Sequence, residues 1–484
     1  MGNASWWTVC VFVTDLTIRL LLSVRVVMRR LPIGVSLAWL FIVLTFPFAG
    51  AIAYLFIGEL RLGQRRAARS AQLRTPFHRW LAELKTGEVD WSTHPPSSEA
   101  LARMCEKMIG MPVTSGNRLE LLASSESGLV RLIKDIDAAR KSLHLEFYIW
   151  AEGGLADEVA QAVLRAAARG VICRVLLDDV GSREFLRGDW ARRFREGGVA
   201  MQAALPARIW RLPFVRFDLR LHRKIAVIDG RIAYTGSMNL VDSRFFKQTA
   251  GVGKWVDAVA RIEGPAVEPL GVTFLGDWAQ ESQEPIERLR VSGDVQPISS
   301  AGPVPVQVIP SGPAHAWAAI ERIVIGTIYS AQKRLTLTTP YFVPDEAMVT
   351  ALISAAQRGV DVTLILPEKI DSRLASWASR ANQGDLVAGG VRVLLFRGGL
   401  LHTKSVAVDG EYSLFGSLNL DPRSLHLNFE ITLAIYDAAF TTELEELQQE
   451  YARESRAVNL TEWRSRGLVR AFLENVARLL GPLL

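Results

Sequence analysis

Leu221-His222-Arg223-Lys224-Ile225-Ala226-Val227-Ile228-Asp229-Gly230 runs on to Gly236-Ser237-Met238-Asn239, and the second half of the chain repeats it as Leu401-His402-Thr403-Lys404-Ser405-Val406-Ala407-Val408-Asp409-Gly410 with Gly416-Ser417-Leu418-Asn419. Both stretches fit HxKxxxxDxxxxxxGSxN without a mismatch. A repeated pattern of this length reports a repeated supersecondary unit. His and Lys two apart on an apolar strand point to one face. Asp-Gly between apolar runs signals a two-residue hairpin, and pairing across such a turn sets Ser237 opposite His222 and Ser417 opposite His402. Imidazole, ammonium and hydroxyl then converge in each copy. That set is what an anionic phosphodiester needs when its phosphorus is attacked.

The repeat extends outward from the two motifs. Residues 143–150, containing Phe147-Tyr148, read as a buried strand; 156–169 read as a helix stopped by Gly170, and 171–177 as the next strand. In the second copy the same order falls at 335–343 with Tyr341-Phe342, at 346–358 before Gly359, and at 360–366. The expected fold class is therefore α/β, two pseudo-symmetric α/β/α sandwich halves at 116–283 and 314–484. Residues 284–313, rich in Pro, Gly and Ser, read as the linker. Near the end, Leu468, Phe472, Val476, Leu479 and Leu480 recur at helical spacing with Arg470 and Arg478 among them. This is an amphipathic helix, for which packing on the enzyme's own core is at least as good a reading as lipid contact.

Ahead of these halves lies a different kind of sequence. Hydrophobic residues make up 49% of the 484, which points to part of the chain lying in lipid. Residues 35–57 carry no charge, long enough at 1.5 Å per residue to cross a hydrocarbon core of about 30 Å as one helix. Residues 6–28 are apolar but interrupted by Asp15, Arg19 and Arg25, and either span with those charges satisfied or lie partly in the interface. Residues 1–60 thus read as a membrane anchor of two hydrophobic helices, and 61–115 as a basic connector. Arg61, Arg65, Arg66, Arg69 and Arg74 outnumber Arg29 and Arg30, which places everything downstream in the cytoplasm. The stretch 208–217, mixing Arg with Trp210, Phe214 and Phe217, reads as a segment touching the bilayer.

Cys10, Cys105 and Cys173 are widely spaced and form no ligand cluster, so neither a metal site nor a disulfide frame is expected. A net charge of +6 suits anionic lipid and nucleic acid alike, and the anchor favours lipid over nucleic acid. His78, His94, His144, His315 and His426 have no HxK context and read as structural or surface residues.

The paired motifs resemble the two HKD motifs of the phospholipase D superfamily, over about 117–437. Narrower features are similar to bacterial cardiolipin synthases: the two N-terminal hydrophobic segments, Phe246-Lys247-Gln248, Thr339-Pro340-Tyr341-Phe342-Val343-Pro344 and Asn428-Phe429-Glu430. The resemblance implies two phospholipase D-type halves whose histidines meet in one cleft, with no cofactor. It implies a multi-pass protein of the bacterial inner membrane that acts on phosphatidylglycerol and other anionic membrane lipids. His222 would attack the phosphodiester and His402 would serve as acid and base, the reverse assignment being the alternative. Lys224 and Lys404 would neutralise phosphate oxygens, while Ser237, Asn239, Ser417 and Asn419 would donate hydrogen bonds to them. Asp229 and Asp409 complete the motifs but are expected to hold the hairpins. Asp257 and Glu430, on apolar strands beyond each hairpin, are the candidates to orient a histidine, against the simpler reading of solvated strand carboxylates. The same motifs also serve phospholipid hydrolases, phosphatidylserine synthases and nucleases.

Overall fold

The computed structural model describes the chain except residues 1, 30, 32, 60–65, 67, 70–71, 74–79, 81–88, 207–215, 217, 248–250, 286–287, 290–296, 314–317 and 481–484. The first copy of the repeat contributes strands Val113–Leu122 (β1), Ser142–Phe147 (β2), Ile172–Asp178 (β3), Ala200–Ala204 (β4), Ile225–Ile228 (β5), Ile232–Gly236 (β6), Trp255–Val256 (β7) and Val259–Glu263 (β8). The second contributes Val304–Ser311 (β9), Arg334–Thr338 (β10), Asp361–Pro367 (β11), Arg392–Phe396 (β12), Leu400–Leu401 (β13), Ser405–Val408 (β14), Tyr412–Gly416 (β15), Glu430–Ile435 (β16) and Ser455–Ala457 (β17). Their order is β17-β12-β11-β10-β14-β15-β16-β9-β1-β8-β6-β5-β2-β3-β4, with β13 and β7 paired apart. The two halves mirror one another about the antiparallel β1–β9 contact, which makes one continuous sheet.

Every side chain of β2 is buried, as expected of a strand covered on both faces. Helix Leu155–Ala168 carries the chain from β2 to its parallel neighbour β3. Four of its alanines, Ala156, Ala160, Ala162 and Ala166, are fully buried and let the helix lie close. The same unit recurs as β10, helix Glu346–Gln357 and β11.

Two expectations need correction. The last part of the expected linker is not linker but β9, which is buried throughout. Its Pro305 and Pro310 read as breakers, yet both fall where a missing N–H costs little. Pro310 lies beyond the end of the β1 ladder, and Pro305 lies just past the end of the β16 ladder, where its carbonyl still accepts from Tyr436 N.

The second correction concerns the N-terminal helices, which form a unit of their own. The charge-free run 35–57 is two helices rather than one. Gly2–Met28 (α1) is followed by Ile33–Thr45 (α2) and Ala49–Ile57 (α3). Pro47 cannot continue a helix, and Phe48 adopts φ 48°. The break is capped from α1: Arg19 Nη1 donates to Leu44 O at 2.5 Å, and Phe48 N donates to Asp15 Oδ1 at 2.9 Å. Among the described residues no helix is long and apolar enough to cross a membrane. Arg61, Arg65, Arg74 and nearly all of 208–217 lie outside the described residues.

Candidate active site

Each histidine sits just before a hairpin strand, on a segment that leaves its own half. Leu221 bridges in parallel to Phe429, and His222 N donates to Phe429 O at 2.9 Å. In the same way β13 pairs in parallel with β7, and His402 N donates to Val256 O at 2.8 Å. These backbone bonds carry each imidazole to the other half's carboxylate. His222 Nδ1 meets Glu430 Oε2 at 2.9 Å, and His402 Nδ1 meets Asp257 Oδ1 at 2.7 Å. Each carboxylate thus bonds the histidine of the other half, an exchange across the pseudo-twofold.

Burial sets the charge states. It pulls His222 down to about 4 and His402 to about 3, against the pull of their carboxylates. Burial alone would raise Asp257 and Glu430, but the facing histidine, a lysine and a serine hold each below its usual range. Both rings are thus neutral beside an ionised carboxylate, which must accept from Nδ1–H. Each Nε2 then presents its lone pair. Lys224 is lowered to about 8 by burial and Lys404 well below its usual value for the same reason. Lys224 Nζ donates to His222 O at 2.6 Å and Lys404 Nζ to His402 O at 2.5 Å, which leaves each amine further donor capacity.

The serines do something other than expected. Asp229 and Asp409 have φ 53° and 54°, as an Asp-Gly turn requires. However, each loop holds a third residue, Arg231 or Glu411, so Ile228 pairs with Ile232 and Val408 with Tyr412. Extending either ladder sets Ser237 opposite Arg223 and Ser417 opposite Thr403, one place off the expected register. Ser237 Oγ donates to Asp257 Oδ1 at 2.7 Å, and Ser417 Oγ to Glu430 Oε2 at 2.5 Å. Their protons are committed to the carboxylates, so they brace the histidines' partners. Gly236 precedes because a Cβ there would lie 2.5 Å from Ala258 O.

Asn239 accepts from Ile149 N at 3.1 Å, and its buried Nδ2 makes no hydrogen bond among the described residues. It is a spare, buried donor group. Asn419 is not its equal, since its side chain bonds Asp421.

Asp229 and Asp409 lie at the far ends of β5 and β14 from the histidines. Asp229 accepts from the backbone N–H groups of Arg140, Lys141 and Ser142, the closest at 2.6 Å. Asp409 does the same for Gln332, Lys333 and Arg334. Asp229→Ala is expected to lower stability by roughly 2–4 kcal/mol, the cost of stranding charge-assisted bonds, with turnover of the folded enzyme within about threefold. Chemical denaturation beside initial rates checks it; a folded, fully stable but inactive variant would return Asp229 to the catalytic set.

Sequence reasoning missed three positions. Tyr148 and Trp255 flank the imidazoles, with ring centroids 4.9 Å from His222 and 4.4 Å from His402. Buried Arg223 donates to Glu430 O at 3.0 Å and Ser311 O at 3.2 Å and pairs with Asp277. Strand alternation turns it from the face of His222 and Lys224 towards the strand that bears Glu430. Set between His222 and Lys224, it carried no separate signal in the sequence. Of the other histidines, His144 stacks on Phe274 and His426 pairs with Glu321 at 3.8 Å. His78 and His315 lie outside the described residues.

Two His–Lys pairs in one buried cluster, each imidazole tethered to the other half, define a phosphodiester-transfer enzyme of the phospholipase D type. Residues 132–252 and 324–452 match the family described as cardiolipin synthase, PLD-like domain, and 18–59 match the phospholipase D-nuclease N-terminal family. Cardiolipin synthase A of Pectobacterium carotovorum is 43% identical over 96% of this chain and 95% of its own. That of Erwinia tasmaniensis is 44% identical over the same shares. The chain belongs to the cardiolipin synthase family. Phosphatidylserine synthase of Haemophilus influenzae superposes with a TM-score of 0.58 over 80% of this chain and 100% of that chain, at 16% identity, a likeness of fold alone.

Proposed function

We propose that the enzyme joins two phosphatidylglycerol molecules into cardiolipin and releases glycerol, through a phosphatidyl-histidine. The exchanged His–carboxylate pairs carry this reading. They supply two imidazoles of fixed tautomer, one to attack and one to manage the proton. His222 Nε2 bonds to phosphorus as the bond to the departing glycerol breaks, and a protonated His402 gives that oxygen its proton. His402 then takes the proton of a headgroup hydroxyl on a second phosphatidylglycerol. That oxygen attacks phosphorus, the N–P bond breaks, and His222 is restored. Lys224, Lys404 and Asn239 face the phosphate oxygens in this scheme.

The substrate's own charge helps to arm the acid. The free cluster holds two carboxylates and two amines around neutral rings, and a bound phosphodiester adds a negative charge that favours protonation of His402. One phosphodiester is exchanged for another, so added glycerol should slow or reverse net synthesis.

The N-terminal unit reads as embedded in the bacterial inner membrane. Its outward side chains are apolar, with Trp6 74%, Phe12 65%, Leu21 66%, Ile33 80% and Phe41 65% exposed. Its carboxylates are turned inward: Asp15 pairs with Arg19, and Glu59 with Arg25, Arg29 and Tyr54. Polar groups pair inside and apolar ones face out, the order that lipid demands. In this reading α2 and α3 together make a broken span, and the halves act at the cytoplasmic leaflet.

Lipid analysis of the purified chain with phosphatidylglycerol alone in mixed micelles tests the reaction. Cardiolipin and glycerol in equal amounts are expected, and phosphatidic acid as the main product would make the enzyme a hydrolase. The starting membranes test the anchor: alkaline carbonate should fail to extract the chain where detergent succeeds.

A further inference from the structure

Helix Leu468–Leu479, which ends the second half, turns its apolar side outward. Leu468 is 89% exposed, Val469 76%, Phe472 67% and Leu479 76%. At about 100° per residue these side chains, with Leu473, Val476 and Leu480, fall within an arc of about 140°. The side laid on the protein is instead Glu474 and Ala477, each 1% exposed. Ala477 packs with Val343 and Ala378, the latter on helix Arg373–Ala388.

The rotation of the helix is fixed by bonds. Glu474 takes ion pairs from Arg466 and Arg470, each at 3.0 Å. Arg466 lies 3.2 Å over the Trp463 ring, and Trp463 Nε1 donates to Arg380 O at 3.1 Å. Turning the apolar side inward would break this chain of contacts. Glu474 is the helix's one acid, and it is hidden, while the exposed charges on the helix are Arg470 and Arg478. An exposed apolar arc on a helix whose exposed charges are basic, with the acid withdrawn, matches an anionic bilayer surface.

We propose that this helix is an interfacial contact that seats the catalytic halves on the anionic bilayer, separately from the N-terminal helices. The proposal rests on the lipid-substrate reading above and extends it to how the cleft meets its substrate. Full-length protein carrying Cys10→Ser and Phe472→Cys, labelled at position 472 with an environment-sensitive fluorophore, would be reconstituted in nanodiscs containing phosphatidylglycerol. Cys105 and Cys173 are buried and should escape the label.

Nitroxide-bearing lipids should quench the label, with blue-shifted emission. Phe472→Asp with Leu479→Asp should raise the lipid fraction needed for half-maximal rate about tenfold, and leave the rate on monomeric short-chain phosphatidylglycerol within about twofold. Water-like, unquenched emission would overturn the proposal. So would blue-shifted but unquenched emission that fades on dilution, which marks a contact between copies. Quenching without any cardiolipin from the wild type would sink the substrate reading and leave this contact standing.

Discussion

Glu430→Gln is expected to lower turnover roughly 10³–10⁴-fold, the scale seen when a histidine's orienting carboxylate becomes an amide, although Glu430 touches no substrate. In the proposed mechanism Glu430 fixes the proton on His222 Nδ1 and so frees Nε2 to attack. A glutamine can offer N–H to Nδ1 instead, which puts the proton on the nitrogen that must form the bond to phosphorus. Asp257→Asn should act likewise on His402. Because the pairs are crossed, a change in the second half disables the histidine of the first. The two losses should combine to far less than their product, since both act on one catalytic unit. Steady-state rates with phosphatidylglycerol, beside melting curves to establish folding, give the comparison. Losses below about tenfold in both variants would mean that the tautomers are held by something other than these carboxylates.

The second large effect separates the two histidines. His222→Ala should abolish transfer with any donor, because no atom is left to carry the phosphatidyl group. His402→Ala should lose about 10²–10⁴-fold with phosphatidylglycerol, the usual contribution of acid–base catalysis, because glycerol departs poorly unprotonated. A donor with a p-nitrophenyl leaving group needs no acid. With that donor, the His402 variant should release a stoichiometric burst of nitrophenolate and hold the phosphatidyl group on the protein, while the His222 variant gives neither. The opposite pattern would exchange the two roles.

The repeat, the α/β class and the histidines and lysines were legible because each depends on local periodicity and spacing. The exchange was not. Alternation shows that Asp257 and Glu430 lie on apolar strands, but only the parallel contacts of Leu221 with Phe429 and of β13 with β7 decide which histidine each meets. The serines were misplaced by a single residue: Arg231 and Glu411 lengthen loops that Asp-Gly alone reads as two-residue turns, and one step of register turns a side chain to the other face. Pro47 was overlooked within an apolar run whose lack of charge dominated the reading. Pro305 and Pro310 were overweighted, because sequence does not show where a ladder has lost its neighbour.

The crossed carboxylates also bear on how such a chain could arise. Half of this protein, on its own, holds a histidine without its carboxylate and a carboxylate without its histidine. A single-copy ancestor would have been inert as a monomer and competent only when two identical chains met about a twofold axis, each completing the other. Gene duplication and fusion would then have preserved an existing partnership, after which the two imidazoles, no longer bound to be identical, were free to divide attack and proton transfer between them.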